Sequence, residues 1–270
     1  MSGRRPGRWC ARGTIARRSW PKRGYAVVSS RPLNDVNASI SVVIPALNEE
    51  ATVGMVVARA FQAGVNEVVV VDNGSTDRTA EVAAANGARV VSEPRRGYGA
   101  ACLAGSLAAR GDLLVFMDAD GSFDAAEIPR LVAPLIEGKA ELVLGSRELG
   151  TIAAGAMPSH QRFGNRLAAW LLRAFYGLRI SDIGPFRALR RRDLIALQMS
   201  ELTYGWPIEM ILKAAQQGYR IVEVPVTYRS RLGGRSKVSG TLKGSLIAGY
   251  RILGTLFKYA RNGKRRGARL

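Results

Sequence analysis

Between Ile40 and Gly145, short apolar runs alternate with stretches of helical periodicity, and this alternation limits what the chain can fold into more than any other feature. The runs are Ile40–Ile44, Val68–Val71, Ala88–Ser92, Leu113–Met117 and Glu141–Gly145. Apolar runs this short, with no polar residue at every second position, belong to strands buried on both faces. The intervening stretches run from Glu49 to Ala63, over about 77–86 and 98–109, and from Ala125 to Glu137. In the first of them Val53, Val56, Val57 and Ala60 share one helical face, and Gly64 ends it. Strand and helix in turn predict βαβ units, hence an α/β fold with a mainly parallel sheet and helices on both faces.

After Arg147 the alternation loosens. Gly150–Ser159 reads as a loop, Gln161–Tyr176 as an amphipathic helix, Phe186–Leu189 as a strand, Pro207–Gln217 as a helix and Ile221–Val226 as a strand. From Gly240 to Ala260, Leu242, Leu246, Tyr250, Leu253 and Phe257 form a stripe, with Lys243, Arg251 and Lys258 standing off it. That pattern predicts C-terminal amphipathic helices. No run reaches the ~18–20 uninterrupted apolar residues of a membrane span.

The formal charge of +19 sits mostly at the ends: +8 in residues 1–38, +6 in 258–270, and +5 in everything between. The expected organisation is therefore a basic, disordered extension (1–38), a folded domain (39–239), and membrane-interface helices with a basic tail (240–270). Basic arms of this kind bind polyanions, either nucleic acid or an anionic membrane face. The arginine- and serine-rich start superficially resembles an organelle transit peptide, but a floppy extension is the expected reading. Cys10 and Cys102 are the only cysteines, which excludes a disulfide framework. A single histidine, His160, in a loop-like setting, argues against histidine-based zinc sites and catalytic triads.

The sharpest chemical feature is Asp118-Ala119-Asp120-Gly121-Ser122, directly after an apolar strand. Ligands of parallel α/β sheets bind at the carboxyl ends of strands. Two carboxylates one residue apart can both offer oxygen to Mg²⁺ or Mn²⁺ there, where one alone would read as a helix cap. Asp72 ends the second strand within Asp72-Asn73-Gly74-Ser75-Thr76-Asp77, which also reads as a turn with a cap. Pro45-Ala46-Leu47-Asn48-Glu49-Glu50 ends the first strand and forms a third wall of the same crevice. Arg95-Arg96-Gly97-Tyr98-Gly99 opens a helix, and its backbone amides can face phosphate. The pattern argues against a nicotinamide enzyme, since the glycine fingerprint should follow the first strand, and that strand is followed by Pro45.

Taken in order, Pro45–Glu50, Asp72–Asp77, Gly97–Ala101, Asp118–Ser122 and Gly145-Ser146-Arg147 resemble the family-2 inverting glycosyltransferases. The resemblance implies the nucleotide-diphospho-sugar-binding α/β domain called GT-A, over about 40–240. Asp182–Ala188, Trp206–Met210 and Gly233–Lys237 are similar to segments of the dolichyl- and polyprenyl-phosphate sugar synthases. Ser122 departs from that branch, whose mannose-transferring members usually have glutamine there, so the donor sugar stays open.

The resemblance implies that Pro45, Ala46, Asn48, Glu49, Asp72, Gly74, Gly97, Tyr98, Asp118 and Ala119 hold the nucleotide-sugar. It implies that Asp118 and Asp120 organise Mg²⁺ or Mn²⁺, and that Arg147, Arg187 and Lys237 meet phosphates. The implied partners are a UDP- or GDP-sugar, a polyprenyl phosphate lipid and an anionic membrane, without nucleic acid. The place of action would be peripheral, on the cytoplasmic membrane face. An ionised lipid phosphate needs no base. A hydroxyl acceptor would need one, and Asp182 or Glu209 are the candidates. For Glu209, in an apolar helix, a satisfied buried acid competes evenly with a site role. Arg187 is even between a phosphate contact and the solvated edge its neighbours suggest. A polyanion-binding protein with a degenerate sugar-nucleotide domain is the rival from another class.

Overall fold

The computed structural model describes residues 38–233, 250–256, 258 and 259. The basic extension, apart from Ala38, lies outside the described residues, as do Lys237, Leu242, Leu246, Phe257 and the last eleven residues.

Strands β1 (Ile40–Ala46), β2 (Glu67–Asp72), β3 (Arg89–Ser92), β4 (Leu113–Phe116), β5 (Leu142–Ile152), β6 (Arg187–Arg190) and β7 (Ile221–Tyr228) form one sheet in the order β3-β2-β1-β4-β6-β5-β7. Pairs β1–β2, β1–β4, β2–β3 and β5–β7 are parallel, while β6 runs antiparallel to both β4 and β5. The helices are α1 (Val53–Gln62), α2 (Thr79–Ala85), α3 (Tyr98–Ala108), α4 (Ile128–Ile136), α5 (Ser159–Tyr176), α6 (Arg191–Leu197) and α7 (Trp206–Gln216). One core joins alternate residues of β1, β2 and β4 to α1 and α4; the other joins the opposite strand faces to α3, α5 and α7. Alternate residues of one strand, such as Val42 and Val43, therefore enter different cores, which is why these strands read as unbroken apolar runs.

One expectation needs correction. Gly150 is not in a loop: β5 continues to Ile152, and a Cβ at Gly150 would collide with the backbone of Val226. Its glycine marks close strand approach rather than a turn. Of the C-terminal stripe, Tyr250 and Leu253 are among the described residues. Tyr250, predicted to lie on it, is exposed, while Leu256 is buried and Ile252, Leu253 and Tyr259 pack against the second core. Tyr176 Oη donates to the Leu256 carbonyl at 2.6 Å, so the described part of this segment is held by the domain itself.

Candidate active site

The carboxyl ends of β1, β2 and β4 deliver three loops to one edge of the sheet, and polar side chains bind these loops to one another. Asn48 sits at φ 53°, a left-handed conformation that asparagine tolerates. Its amide donates to Ser75 Oγ at 2.9 Å, and its Oδ1 accepts from Thr76 N at 2.7 Å. Glu49 N donates to Thr79 Oγ1 at 2.8 Å, and Ser75 N donates to Asp72 Oδ1 at 2.9 Å. Asn73 ties in the loop after β3: its Nδ2 donates to the carbonyls of Glu93 and Arg95, and its Oδ1 accepts from Gly97 N, all at 2.8 Å. Pro45, Ala46 and Asp72 thus end their strands, and Asn48, Glu49 and Gly74 lie in the loops that follow, as the motif order predicts. Asn73 was missed by sequence reasoning, since Asn-Gly explains itself as a turn.

The glycines of Gly97-Tyr98-Gly99 also make a close backbone packing possible. Gly97 has φ 147°, and a Cβ on it would run into the carbonyl of Leu202. A Cβ on Gly99 would do the same at Glu201. Ala100 N donates to the Leu202 carbonyl at 2.9 Å. Two of the turn's amides, those of Gly97 and Ala100, are therefore spent on protein partners, and both glycines admit the 201–203 backbone against the start of α3. Gly99→Ala is expected to cost about 1–3 kcal/mol, because backbone must move to admit the methyl. Thermal unfolding of the variant checks it.

Asp118 and Asp120 follow β4. Asp120 Oδ1 accepts from Ser122 N at 3.0 Å, and the Asp120 carbonyl accepts from Leu232 N at 3.0 Å. That second bond folds the segment after β7 over the acid loop and brings in Arg231. Its guanidinium binds both carboxylate oxygens of Glu49, at 2.8 and 2.9 Å, and stands 3.9 Å from Asp120 Oδ2. Arg231 was absent from the sequence reading, because a basic residue beyond a strand reads as solvated. Burial, then the Asp120 charge, push the Asp118 carboxyl up to about 7, against the pull of Arg147. Asp118 and Asp120 thus offer carboxylate oxygens one residue apart beside the strand-end loops, a donor chemistry that a divalent cation fits. Among the described residues no larger cluster of metal-ligating side chains forms. Two carboxylates plus diphosphate oxygens and water make a set that suits Mg²⁺ or Mn²⁺.

Arg147 lies at the crevice side of β5, buried, with Nε and Nη2 on the two oxygens of Asp182 at 2.8 and 2.7 Å. Its own amide donates to Asp182 as well, and its guanidinium lies 5.1 Å from the Tyr228 ring centre. Asp182 is fully buried by this pairing, so it is no free base. Arg187 is 1 % exposed, and its amino groups donate to the carbonyls of Pro207, Ile183 and Gly184. Burial lowers its pKa, and through these carbonyls its guanidinium braces the chain around β6.

Glu209 does not enter the crevice. Its carboxylate accepts from Ser200 N and Oγ, Glu201 N and Tyr259 Oη, and pairs with Lys213 at 3.0 Å. Burial opposes its ionisation, but these donors prevail and hold the carboxyl below its usual range. The satisfied-acid reading is the one observed. The "solvated" arginine run also proves partly internal: Arg190 is buried and donates to the carbonyls of Leu135 and Ala140, where α4 ends.

A model of glycosyl transferase family 2 matches residues 41–197, more than half of the chain. The chain belongs to glycosyl transferase family 2. This glycosyltransferase is 47 % identical over 210 residues to an uncharacterised glycosyltransferase of Mycobacterium bovis, covering 78 % of this chain and 94 % of that one. It is 36 % identical over 197 residues to a dolichyl-phosphate hexose transferase of Haloferax volcanii, covering 72 % and 84 %. Among solved structures it is similar to glucosyl-3-phosphoglycerate synthase of Mycobacterium tuberculosis in complex with Mn²⁺, UDP and glucosyl-3-phosphoglycerate. The TM-score there is 0.69 and the identity 26 %, covering 90 % and 86 %. The glycosyltransferase fold is GT-A, with β6 as its antiparallel strand.

Proposed function

We propose that this glycosyltransferase moves a hexosyl group from a UDP- or GDP-sugar to a polyprenyl phosphate, with inversion, at the cytoplasmic face of a membrane. The observation that carries the acceptor class is the state of the two candidate bases. Asp182 is consumed by Arg147, and Glu209 by the 200–201 turn and Tyr259. A hydroxyl acceptor has to lose its proton during attack, whereas a phosphate acceptor is already ionised near neutral pH. The name of the Haloferax relative supports the same class.

In this reading the loops after β1 and β2 hold the nucleoside, with Asn48, Glu49 and Asp72 fixing their shape. Asp118 and Asp120 hold a divalent cation, which when bound offsets the charge that develops on the departing diphosphate. Arg231, already paired with Glu49, keeps a fixed cation beside Asp120. Arg147 faces the same acids, and Asp182 fixes its direction. Lys237 is proposed as a phosphate contact on the motif resemblance.

The glucosyl-3-phosphoglycerate complex of the structural neighbour favours a second reading, a small phosphorylated acid that accepts the sugar on a hydroxyl and uses its phosphate only for binding. Incubation with a panel of nucleotide-sugars, Mn²⁺, and either polyprenyl phosphate or 3-phosphoglycerate separates the two. Lipid-linked sugar is the expected product, and product with phosphoglycerate alone overturns the lipid reading. Nothing in the site argues for a covalent glycosyl-enzyme, so the product anomer, read by NMR, is expected to be opposite to the donor's. Retention of configuration contradicts single displacement.

A further inference from the structure

α5 carries two apolar faces, and only one of them is needed for folding. Ala168, Leu171 and Leu172 are buried, and Asn165, on the same side, ties the helix to the site. Its Oδ1 accepts from Ile183 N at 3.1 Å, and its Nδ2 donates to the Ser181 carbonyl, next to the Asp182 that holds Arg147. On the opposite side stand Phe163 and Trp170, 69 % and 62 % exposed. They are seven residues apart, about two turns, so both point the same way. Arg166 and Arg173 project beside them, and Arg162 borders the same face. Glu148 takes up part of the Arg162 and Arg166 charge, at 3.3 and 3.4 Å, but α5 itself contains three arginines and no acid.

Outward aromatics flanked by arginines on a helix with no acid match an anionic lipid surface. The rings enter the headgroup boundary, while the guanidinium groups meet lipid phosphates and the side-chain stems lie along the apolar layer. Exposed aromatics alone would fit many partners; the one-sided charge selects this one. In the described part of the C-terminal segment, Ile252 and Leu256 face the protein. We infer that the outward face of α5, centred on Phe163 and Trp170, is the surface by which this enzyme lies on anionic membranes. Through Asn165 it would hold the loop carrying Asp182, and with it Arg147, at headgroup level, where the phosphate of a lipid acceptor sits. The inference rests on the lipid-acceptor reading for its purpose, though not for its test.

The test compares the full chain with Phe163→Ser/Trp170→Ser, using phosphatidylcholine vesicles with and without phosphatidylglycerol. The native protein is expected to sediment with the anionic vesicles and to be released by salt. The variant's partitioning is expected to fall about tenfold or more. Turnover of a water-soluble short-chain prenyl phosphate should be unchanged, which shows the variant to be folded. In a Trp9→Phe/Trp20→Phe background, Trp206 is buried, so brominated lipids should quench Trp170 selectively. Equal vesicle binding by both proteins overturns the inference, as does absence of quenching. A native dimer that the double variant dissociates also overturns it, in favour of a second copy of this chain. If the native protein binds no vesicles yet makes lipid-linked sugar in detergent, the inference falls and the proposed function stands.

Discussion

Asp120→Ala is expected to lower turnover by about 10²–10³-fold or more while leaving thermal stability close to that of the native protein. Both halves of this expectation come from the same geometry. Asp120 is a strand-end acid whose side chain accepts a hydrogen bond from Ser122 N, and its neighbour Arg231 keeps Glu49 as a closer partner. Removing the carboxylate leaves Arg231 paired with Glu49 and costs a single backbone hydrogen bond, that of Ser122 N, worth about 1 kcal/mol. It does remove one of the two oxygen ligands proposed for the cation, and a cation held by Asp118 alone is weakly placed. Steady-state turnover and calorimetric unfolding check the two halves. Unfolding of the variant would make Asp120 a structural residue, and full activity would remove it from the metal site.

The second large effect is opposite in kind. Asp182→Ala is expected to destabilise the protein by about 3–5 kcal/mol, since it leaves the Arg147 guanidinium buried without its counter-charge. For a chain of this size that lowers the melting temperature by roughly 6–20 °C. Arg147 would also lose three-point fixation: its amide, Nε and Nη2 all donate to Asp182. The double variant Arg147→Met/Asp182→Leu separates the roles. Replacing a buried pair by apolar groups of similar size is often neutral. Stability should return in the double variant and activity should not. Recovery of both would show that Arg147 only holds the fold; recovery of neither would place the damage in packing.

How far the sequence reveals such a site depends on how local the signal is. The strand-end acids at 72, 118 and 120 were legible because an apolar run fixes where a strand ends, and the sheet topology then places that end in the crevice. The antiparallel β6 was not legible as such. Phe186–Leu189 reads as apolar whichever way the strand runs, and only pairing with β4 and β5 sets its direction. The charged residues divide along the same line. Arg187, Arg190 and Glu209 look like surface or site groups until their partners arrive from elements distant in sequence: Pro207, Leu135 and Tyr259. Arg231 is the converse case, an unremarkable loop cation that contacts Glu49 across 182 positions. Local pattern names the groups that can do chemistry. Long-range pairing decides which of them are left to do it.

Whether the strand-end acids bind a metal–diphosphate unit is decided by nucleotide binding itself, measured by calorimetric titration of UDP and of GDP in Mn²⁺ and again in EDTA. One of the two nucleotides is expected to bind in Mn²⁺. Its affinity should fall at least about tenfold in EDTA, and by a similar factor in Asp120→Ala even with Mn²⁺ present. Equal affinity with and without the metal, or binding unaffected by loss of the Asp120 carboxylate, would contradict the reading of Asp118 and Asp120 as the metal-holding pair.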